Sequence, residues 1–413
     1  MPPIVRALAH RNYRLYFIGQ LVSLTGTWMQ QIALIWLTYR ITDSTFMLGV
    51  VTFTAQVPLL VLSPLGGVLS DRIDRRTLLL WTHWLALGHA VLLATLAFTV
   101  PLHAWMLVCL ALLLGAINGI DQPTRQSFVA ELMNKPEDLP NAIALNSVAI
   151  HVTRFVGPAI GGVLVALVGE KVCFLLNALS FLGMIMALRA IRPRAVERRH
   201  HRVLDALRSG LRYAYAHRHI RVLLFMVSIM SLFGMAPLTL MPWFVKTVFS
   251  GDAQAFGFLS AAGGIGSCVG ALFLASRHDA AAIDRNIGRC AIVTGLTIFA
   301  FSFTSQYWVA LLELMVLGFC TINVVSASNA LIQLMVDDQM RGRVMSIFTV
   351  AFFGIAPLGS LTAGTVSDVV GPRNTLLMWS LVIFVIGVCV LLILKQQARN
   401  QGDVFAAGAS GGS

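Results

Sequence analysis

The feature that most constrains this chain is a series of twelve apolar segments, each about as long as a helix that crosses a bilayer. Roughly 20 apolar residues are needed to span about 30 Å of hydrocarbon. Only 12% of the 413 residues are charged, about half the share usual in soluble proteins, so lipid must solvate most of the surface. The segments lie near residues 15–39, 45–69, 77–100, 104–128, 141–167, 171–190, 222–246, 254–276, 287–304, 307–334, 344–368 and 374–394.

The distribution of these segments predicts an all-α integral membrane protein with twelve transmembrane helices in two six-helix bundles. A basic stretch separates the sixth segment from the seventh, and its apolar residues recur at helical spacing, which predicts a helix on the membrane surface. The expected organisation is an N-terminal bundle, a cytoplasmic basic linker, a C-terminal bundle and a flexible tail, part of it introduced by cloning. These parts are 1–191, 192–221, 222–395 and 396–413.

The placement of Lys and Arg predicts the orientation. Of the 30 such residues, 25 fall on the side that holds both termini, four fall on the other side, and Arg154 lies within the fifth segment. Because cytoplasmic loops are enriched in Lys and Arg, we predict a multi-pass protein of a bacterial plasma (inner) membrane with both termini in the cytoplasm. The net charge of +12 then reflects topology and attraction to membrane lipids rather than nucleic-acid binding.

A recurring glycine pattern indicates internal repeats. The stretches "GGVLSDRIDRR", "GGVLVALVGEK" and "AGTVSDVVGPR" begin at Gly66, Gly161 and Ala363. Gly162 and Gly364 are 202 residues apart, as two tandem six-span halves would require. The offset of 95 residues within the first half joins an inside turn to an outside turn, which predicts inverted three-plus-three repeats.

A charged turn interrupts the apolar sequence between the second and third segments, where five charged residues occupy six positions. A topology signal alone would need no aspartate. We predict a cytoplasmic gate in which Asp71 meets the positive end of span 11 and an arginine of the turn meets Glu131. The alternative is a turn that only sets orientation. Gly67 should let span 2 approach a neighbouring helix closely. The gate residues would be Gly67, Asp71, Arg72, Arg75, Arg76 and Glu131.

Charged side chains inside apolar segments form a second group of candidates, because intramembrane charges are costly and usually functional. The group comprises Asp121, Arg125, Arg154 and Glu313, with His151 as a titratable neighbour. Arg125 lies four residues after Asp121, so an ion pair that fixes packing is one interpretation. Glu313 has no cation close in sequence, and we predict Glu313 rather than Asp121 as the proton carrier.

Uncharged polar residues recur at helical spacing on spans 1, 4, 7 and 10, interspersed with Trp, Phe and Met. In lipid such faces should point at protein or water. A cavity that is polar in spots and rich in aromatic and Met side chains suits a bulky amphipathic small molecule. The predicted cavity residues are Gln20, Thr27, Trp28, Gln30, Asn118, Ser231, Met235, Asn323, Ser326 and Asn329.

Two motifs resemble those of the major facilitator superfamily. The charged turn is similar to the family signature G-x-x-x-D-R-x-G-R-R, with Asp74 where the family usually has Gly. The "GPAIGG" stretch of span 5 is similar to the motif of the family's drug/proton antiporters and comprises Gly157, Pro158, Gly161 and Gly162; Thr153 replaces its leading small residue. The family's basic residue in span 4 is absent, since that register offers Ala111.

The resemblance covers all twelve spans and is closest to the bacterial drug and siderophore exporter branch that includes the enterobactin exporter. It implies a proton-coupled secondary transporter that works by alternating access, with spans 1, 4, 7 and 10 around the substrate cavity. A lipid flippase or an importer of the same fold remains the alternative, and an integral-membrane enzyme is a third.

Several functional classes lack their sequence signatures. The six cysteines are scattered singly in apolar runs, so we expect neither disulfides nor a metal site. No nucleophile elbow, His/Asp cluster or phosphate-binding loop is present, which disfavours an enzyme and a nucleotide-driven pump. We therefore predict no cofactor, with the small-molecule substrate, protons and membrane lipids as partners of a monomer.

Overall fold

The computed structural model describes residues 3–133, 136–192, 211–277 and 280–410. The first half contains α1 (Arg11–Thr42), α2 (Thr45–Arg72), α3 (Arg75–Thr99), α4 (Ala104–Glu131), α5 (Leu139–Val168) and α6 (Glu170–Ala190). Short 3₁₀ helices at Pro3–Ala9 and Pro136–Asp138 precede α1 and α5. The second half contains α7 (Arg218–Phe233), α8 (Ala236–Trp243), α9 (Ala253–Ala275), α10 (Ala280–Phe303), α11 (Tyr307–Met335), α12 (Asp338–Thr349), α13 (Ala356–Val370) and α14 (Pro372–Ser410).

Eleven of the described segments are long and apolar enough to cross a membrane. Two of them contain a π-helical turn: Arg218–Val248 joins α7 and α8 to Phe244–Val248, and Met340–Val370 joins α12 to α13 through Val350–Gly354. The first predicted span is the exception, because α1 has the length, 32 residues, but not the hydropathy. Its polar side chains, such as Gln20 and Gln30, are buried against protein, so α1 does not need an apolar surface all round.

The chain forms two compact units. Unit 1 combines Met1–His201 with Leu238–Gly264 and Ser360–Asp368, and unit 2 contains Arg202–Pro237, Ile265–Gly359 and Val369–Ser413. In unit 1, α1 packs on α5 and α6, α2 on α4, and α3 on α6. In unit 2, α10 packs on α11 and α14. The third and sixth spans of each half are therefore partners, as tandem halves require.

The predicted linker and tail are only partly described. Most of the expected surface helix lies outside the described residues, although 211–216 are helical. The last helix, α14, continues to Ser410, beyond the expected end of the twelfth span near residue 394. Residues 411–413 also lie outside the described residues.

Two glycine pairs allow close helix crossings inside unit 1. A Cβ added to Gly49 of α2 would lie 3.1 Å from the Cα of Gly364 on the part of α13 that belongs to unit 1. A Cβ added to Gly162 of α5 would lie 2.7 Å from the Cα of Gly257 on α9. Backbones that approach this closely leave no room for a side chain.

Candidate functional site

Arg75 is the centre of the charged turn. Its guanidinium lies 3.0 Å from a carboxylate oxygen of Glu131 on α4 and 3.3 Å from one of Asp71 on α2. Arg75 and Glu131 are largely buried, whereas the Asp71 side chain is 36% exposed. The turn therefore ties α2 and α3 to the end of α4 through one arginine, and Arg75 is the member of the predicted arginine set that reaches Glu131.

The other charges of the turn have separate contacts. Arg76 donates to the carbonyl oxygens of Leu188 and Arg189, at 2.6 and 2.8 Å, and so satisfies carbonyls at the end of α6 that have no helical partner. Asp74 accepts from the Thr77 backbone N–H at 2.8 Å and caps the start of α3. Arg72 is exposed. The departure from the family signature at Asp74 thus has a local structural role.

Gly67 does not make the close helix approach that the motif predicts. A Cβ added there would meet none of the described atoms within 4 Å. The close contact belongs to its neighbour Gly66, where an added Cβ would lie 2.7 Å from the carbonyl oxygen of Gly119 on α4. The prediction assigned the contact to the wrong glycine because adjacent helical residues point about 100° apart.

A second ionic cluster, absent from the predictions, anchors the start of the chain to α5. Asp138 lies 2.5 Å from Arg6 and 2.8 Å from His10. The hydrogen bond with His10, together with that from Arg6, holds the pKa of the Asp138 carboxyl below its usual range. Tyr13 adds a hydrogen bond of 2.7 Å to the Ala142 carbonyl. These partners are about 130 residues apart in sequence, and no local pattern connects them.

The intramembrane aspartate lies within a network of hydrogen bonds. Asp121 is 5% exposed. One carboxylate oxygen lies 2.6 Å from Arg125, and the other accepts from Thr82 at 2.7 Å and lies 3.4 Å from His83. The network joins α3 to α4, which agrees with a packing role for the Asp121–Arg125 pair.

Arg154 packs on α1. Its guanidinium carbon lies 5.5 Å from the ring centroid of Trp28, a cation–π contact. In the next two turns, Gly157 and Gly161 bring α5 close to Trp28 and Met29 of α1. A Cβ added to Gly157 would lie only 2.5 Å from the Cβ of Trp28. Helix α5 runs through Pro158, so the span-5 motif acts here by close packing.

The last two candidates among the charged and titratable side chains inside the spans have few hydrogen-bond partners. The Nδ1 atom of His151 is buried and has no hydrogen-bond partner among the described residues. Glu313 on α11 accepts a hydrogen bond of 2.8 Å from Thr304, while its other carboxylate oxygen is buried without a partner. Among the described residues Glu313 forms no ion pair.

A cavity of about 170 Å³ lies between α1, α2 and α4 in unit 1. Its polar lining is neutral and consists of Thr27, Gln30, Gln31, Thr52, Gln56 and Asn118. Aliphatic side chains of the same helices complete the wall. We call it the amide cavity. Thr27, Gln30 and Asn118 were predicted from the polar stripes. Gln31, Thr52 and Gln56 were not, because Gln31 is outside the stripe identified on α1 and no stripe was identified on α2.

Other predicted cavity residues have structural contacts. Asn323 is fully buried and donates to the carbonyl oxygens of Phe319 and Gly270, at 2.9 and 3.2 Å. Ser231 donates to the carbonyl oxygen of Phe352, and Asn329 accepts from Gln333 at 2.5 Å. Of the other three predicted residues, Gln20 is buried, whereas Ser326 and Met235 are half-buried.

An exposed ion pair joins two helix ends of unit 1 on the side predicted to face outward. Lys246 lies 2.7 Å from Asp43, the residue that follows α1. The hydrogen bond with Lys246 lowers the pKa of the Asp43 carboxyl. Both residues belong to unit 1.

Solved structures share this fold. The chain superposes with a TM-score of 0.71 and 13% identity on a bacterial homologue of the human lysosomal transporter Spinster in an inward-facing, unoccupied conformation, over 96% of this chain and 98% of that one. It superposes with a TM-score of 0.73 and 10% identity on a POT family transporter in complex with 5-aminolevulinic acid, over 94% and 96%. The chain therefore shares the all-helical membrane fold of these two transporters.

The sequence comparisons identify the family. Residues 5–407 match the model of the transmembrane secretion effector family, and the chain belongs to this family of the major facilitator superfamily. It is 24% identical to the staphyloferrin A transporter of Staphylococcus aureus over 87% of this chain and 90% of that protein. It is also 24% identical to the multidrug efflux pump Tap of Mycobacterium tuberculosis over 94% of both chains. The protein is therefore a secondary transporter rather than an enzyme.

Proposed function

We propose that the protein is a proton-coupled exporter of an amphipathic small molecule, a drug or a siderophore, in the bacterial inner membrane. Both termini would lie in the cytoplasm, and the protein would work as a monomer by alternating access. The names of the two relatives, one for a multidrug efflux pump and one for staphyloferrin A transport, support a small organic substrate. The amide cavity, with its neutral polar and aliphatic walls, is suited to such a compound.

The proposal of proton coupling rests on the hydrogen bonding of the Glu313 carboxyl group. One of its oxygens accepts from Thr304 and the other has no partner among the described residues. Protonation of Glu313 would break no ion pair, whereas protonation of Asp121 would break its 2.6 Å contact with Arg125. A nearby arginine favours the ionised form of a carboxyl group, so the carboxyl group without such a partner is the better candidate for a proton carrier.

The test is dye transport in inside-out vesicles with and without an imposed proton gradient, using ethidium as the probe. The wild type should accumulate ethidium when the lumen is acidic. Glu313→Gln keeps the acceptor oxygen for Thr304, so it should fold, lose gradient-driven accumulation and retain ethidium exchange. Asp121→Asn is the matched variant. If Glu313→Gln pumps normally while Asp121→Asn does not, the two roles are reversed.

The direction of transport is tested by comparing inside-out with right-side-out vesicles. An exporter should move ethidium into the lumen, since the cytoplasmic face of the protein is outside. Accumulation only in right-side-out vesicles would favour an importer. Movement of a fluorescent phospholipid in place of ethidium would favour a flippase.

A further inference from the structure

The chemistry of the amide cavity is unusual for a site that would hold a charged substrate. Four of its lining side chains are carboxamides and two are hydroxyls, and none of the described residues that line it carries a charge. Carboxamides present both donors and acceptors, whereas lysine and arginine present donors only. The cavity is therefore matched to groups that both donate and accept hydrogen bonds.

Gln30 gives a more specific indication. It is 1% exposed, and its side-chain oxygen accepts from Asn177 at 2.7 Å. Asn177 is held in turn by Ser180, at 2.9 Å. The Nε2 atom of Gln30 is buried and has no partner among the described residues. Buried amide donors are nearly always satisfied, so Gln30, which lines the cavity, has a hydrogen-bonding capacity that the described residues do not use.

The cavity has a defined size because its walls approach closely. A Cβ added to Gly115 of α4 would lie 2.5 Å from the carbonyl oxygen of Ala55 on α2, and Ala55 itself lines the cavity. The volume of about 170 Å³ is close to the roughly 150 Å³ that accommodates a benzene ring in an engineered protein cavity. The cavity is therefore of a size that takes one ring of the substrate.

On these grounds we propose that the amide cavity is a subsite for one neutral ring of the substrate that bears hydroxyl or carboxamide groups, such as a sugar or a lactam. This inference rests on the proposed export function and narrows its substrate class. A carboxylate-bearing ring, as in an anionic siderophore, would lose its hydration and meet no cation in the cavity. Transfer of an unpaired charge into such a site costs far more than transfer of a neutral hydroxyl that finds hydrogen bonds.

Two commercial glycosides that differ at one carbon test the proposal. The probes are 4-methylumbelliferyl β-glucoside, which carries a hydroxymethyl group, and 4-methylumbelliferyl β-glucuronide, which carries a carboxylate in its place. Gradient-driven uptake of each into inside-out vesicles is measured beside ethidium. We expect the glucoside to be taken up at least tenfold faster than the glucuronide.

Two threonines of α2 provide a matched pair of variants. Thr52 lines the amide cavity, whereas Thr54 does not, and its hydroxyl donates to the Val50 carbonyl at 2.9 Å. Thr52→Val should raise the half-saturating glucoside concentration roughly tenfold, the effect of one lost hydrogen bond. Thr54→Val should leave it unchanged. Gln56→Lys would place a cation in the cavity and should shift the preference toward the glucuronide.

The outcomes separate this inference from the function on which it rests. Equal uptake of the two glycosides, or equal effects of the two threonine variants, would overturn the subsite. Ethidium transport without transport of either glycoside would also overturn it while leaving the exporter in place. If no probe, ethidium included, responds to the proton gradient, the proposed function itself is wrong.

Discussion

At the scale of single residues, the charged turn shows how closely spaced charges can have different roles. Arg75 links two carboxylates, Arg76 satisfies the end of α6, and Asp74 begins α3. The sequence draws attention to this turn, since charge is rare in the apolar segments on either side of it. It does not show which arginine reaches Glu131, because that depends on the angle at which α3 leaves the turn.

The gate interpretation of the turn leads to a first prediction. Asp71→Asn should reduce ethidium transport at least tenfold while changing the free energy of unfolding by no more than about 0.5 kcal/mol, because a partly exposed ion pair contributes little to stability. Transport in vesicles and thermal unfolding in detergent measure the two effects.

The neighbouring aspartate is the control for this prediction. Asp74→Ala removes the cap of α3 and should cost about 1 kcal/mol of stability with near-normal transport per folded molecule. Full transport by Asp71→Asn would leave the turn with only a topological role.

At the scale of helices, the span-5 motif is a packing surface. The sequence does not tell which helix faces Gly157, and the structure provides this information. The partner is α1, through Trp28 and the backbone of Thr25. The same lack of partner information explains why Gly67 was chosen over Gly66.

The second prediction concerns this surface. Gly157→Leu should destabilise the protein by roughly 1–3 kcal/mol, the usual cost of overpacking, and abolish transport, because the added side chain would overlap Trp28. Gly88→Leu on α3 is the matched control, since an added Cβ there meets no described atom within 4 Å. Similar behaviour of the two variants in unfolding and uptake would mean that the motif has no special packing role.

The third prediction concerns the anchor between the start of the chain and α5. The pKa of Asp138 is lowered by His10 and Arg6. Its stabilising contribution should therefore be complete above the usual carboxyl pKa of about 4 and disappear as the pH falls through the lower folded-state value. Wild type should unfold at a higher temperature than Asp138→Asn at pH 7, and the difference should shrink as the pH falls below about 4.

An adjacent carboxylate serves as the control for the anchor. The Glu137 side chain is exposed, and Glu137→Gln should show no difference from wild type in either pH range. A pH-independent gap between wild type and Asp138→Asn would contradict the charge-based explanation.

At the scale of the whole molecule, hydropathy and the glycine repeats predicted the all-helical membrane fold well. Whether a segment can lie in lipid depends on its composition. Each apolar segment can therefore be recognised from its own residues, without knowledge of its neighbours. The first helix falls below the hydropathy criterion because it contains polar residues, which are buried where α1 packs on α5 and α6. The amide cavity was only partly predictable, since Gln31 and Gln56 become neighbours through the crossing of α1 and α2.

The fourth prediction uses the ion pair at the outer helix ends of unit 1. In a variant without its native cysteines, of which Cys109 and Cys389 are exposed, Asp43→Cys with Lys246→Cys should be joined by a short bis-thiosulfonate reagent. The side-chain ends are 2.7 Å apart in the wild type. The cross-link should stop transport if alternating access separates these ends, and a reductant should restore it.

The single variants are the controls for the cross-link, and each should transport normally after treatment with the reagent. Normal transport by the cross-linked double variant would show that the two helix ends stay together throughout the cycle.

The two glycine pairs of unit 1 also limit which second-site mutations could restore function after a substitution at either glycine. When a side chain clashes with a larger neighbour, a second mutation that trims the neighbour can relieve the clash. At Gly162 and Gly257 the neighbour is already a glycine, and the same is true of Gly49 and Gly364. Revertants of a Gly162→Ala strain should therefore be true revertants, or carry changes that shift whole helices, and none should map to the facing residue.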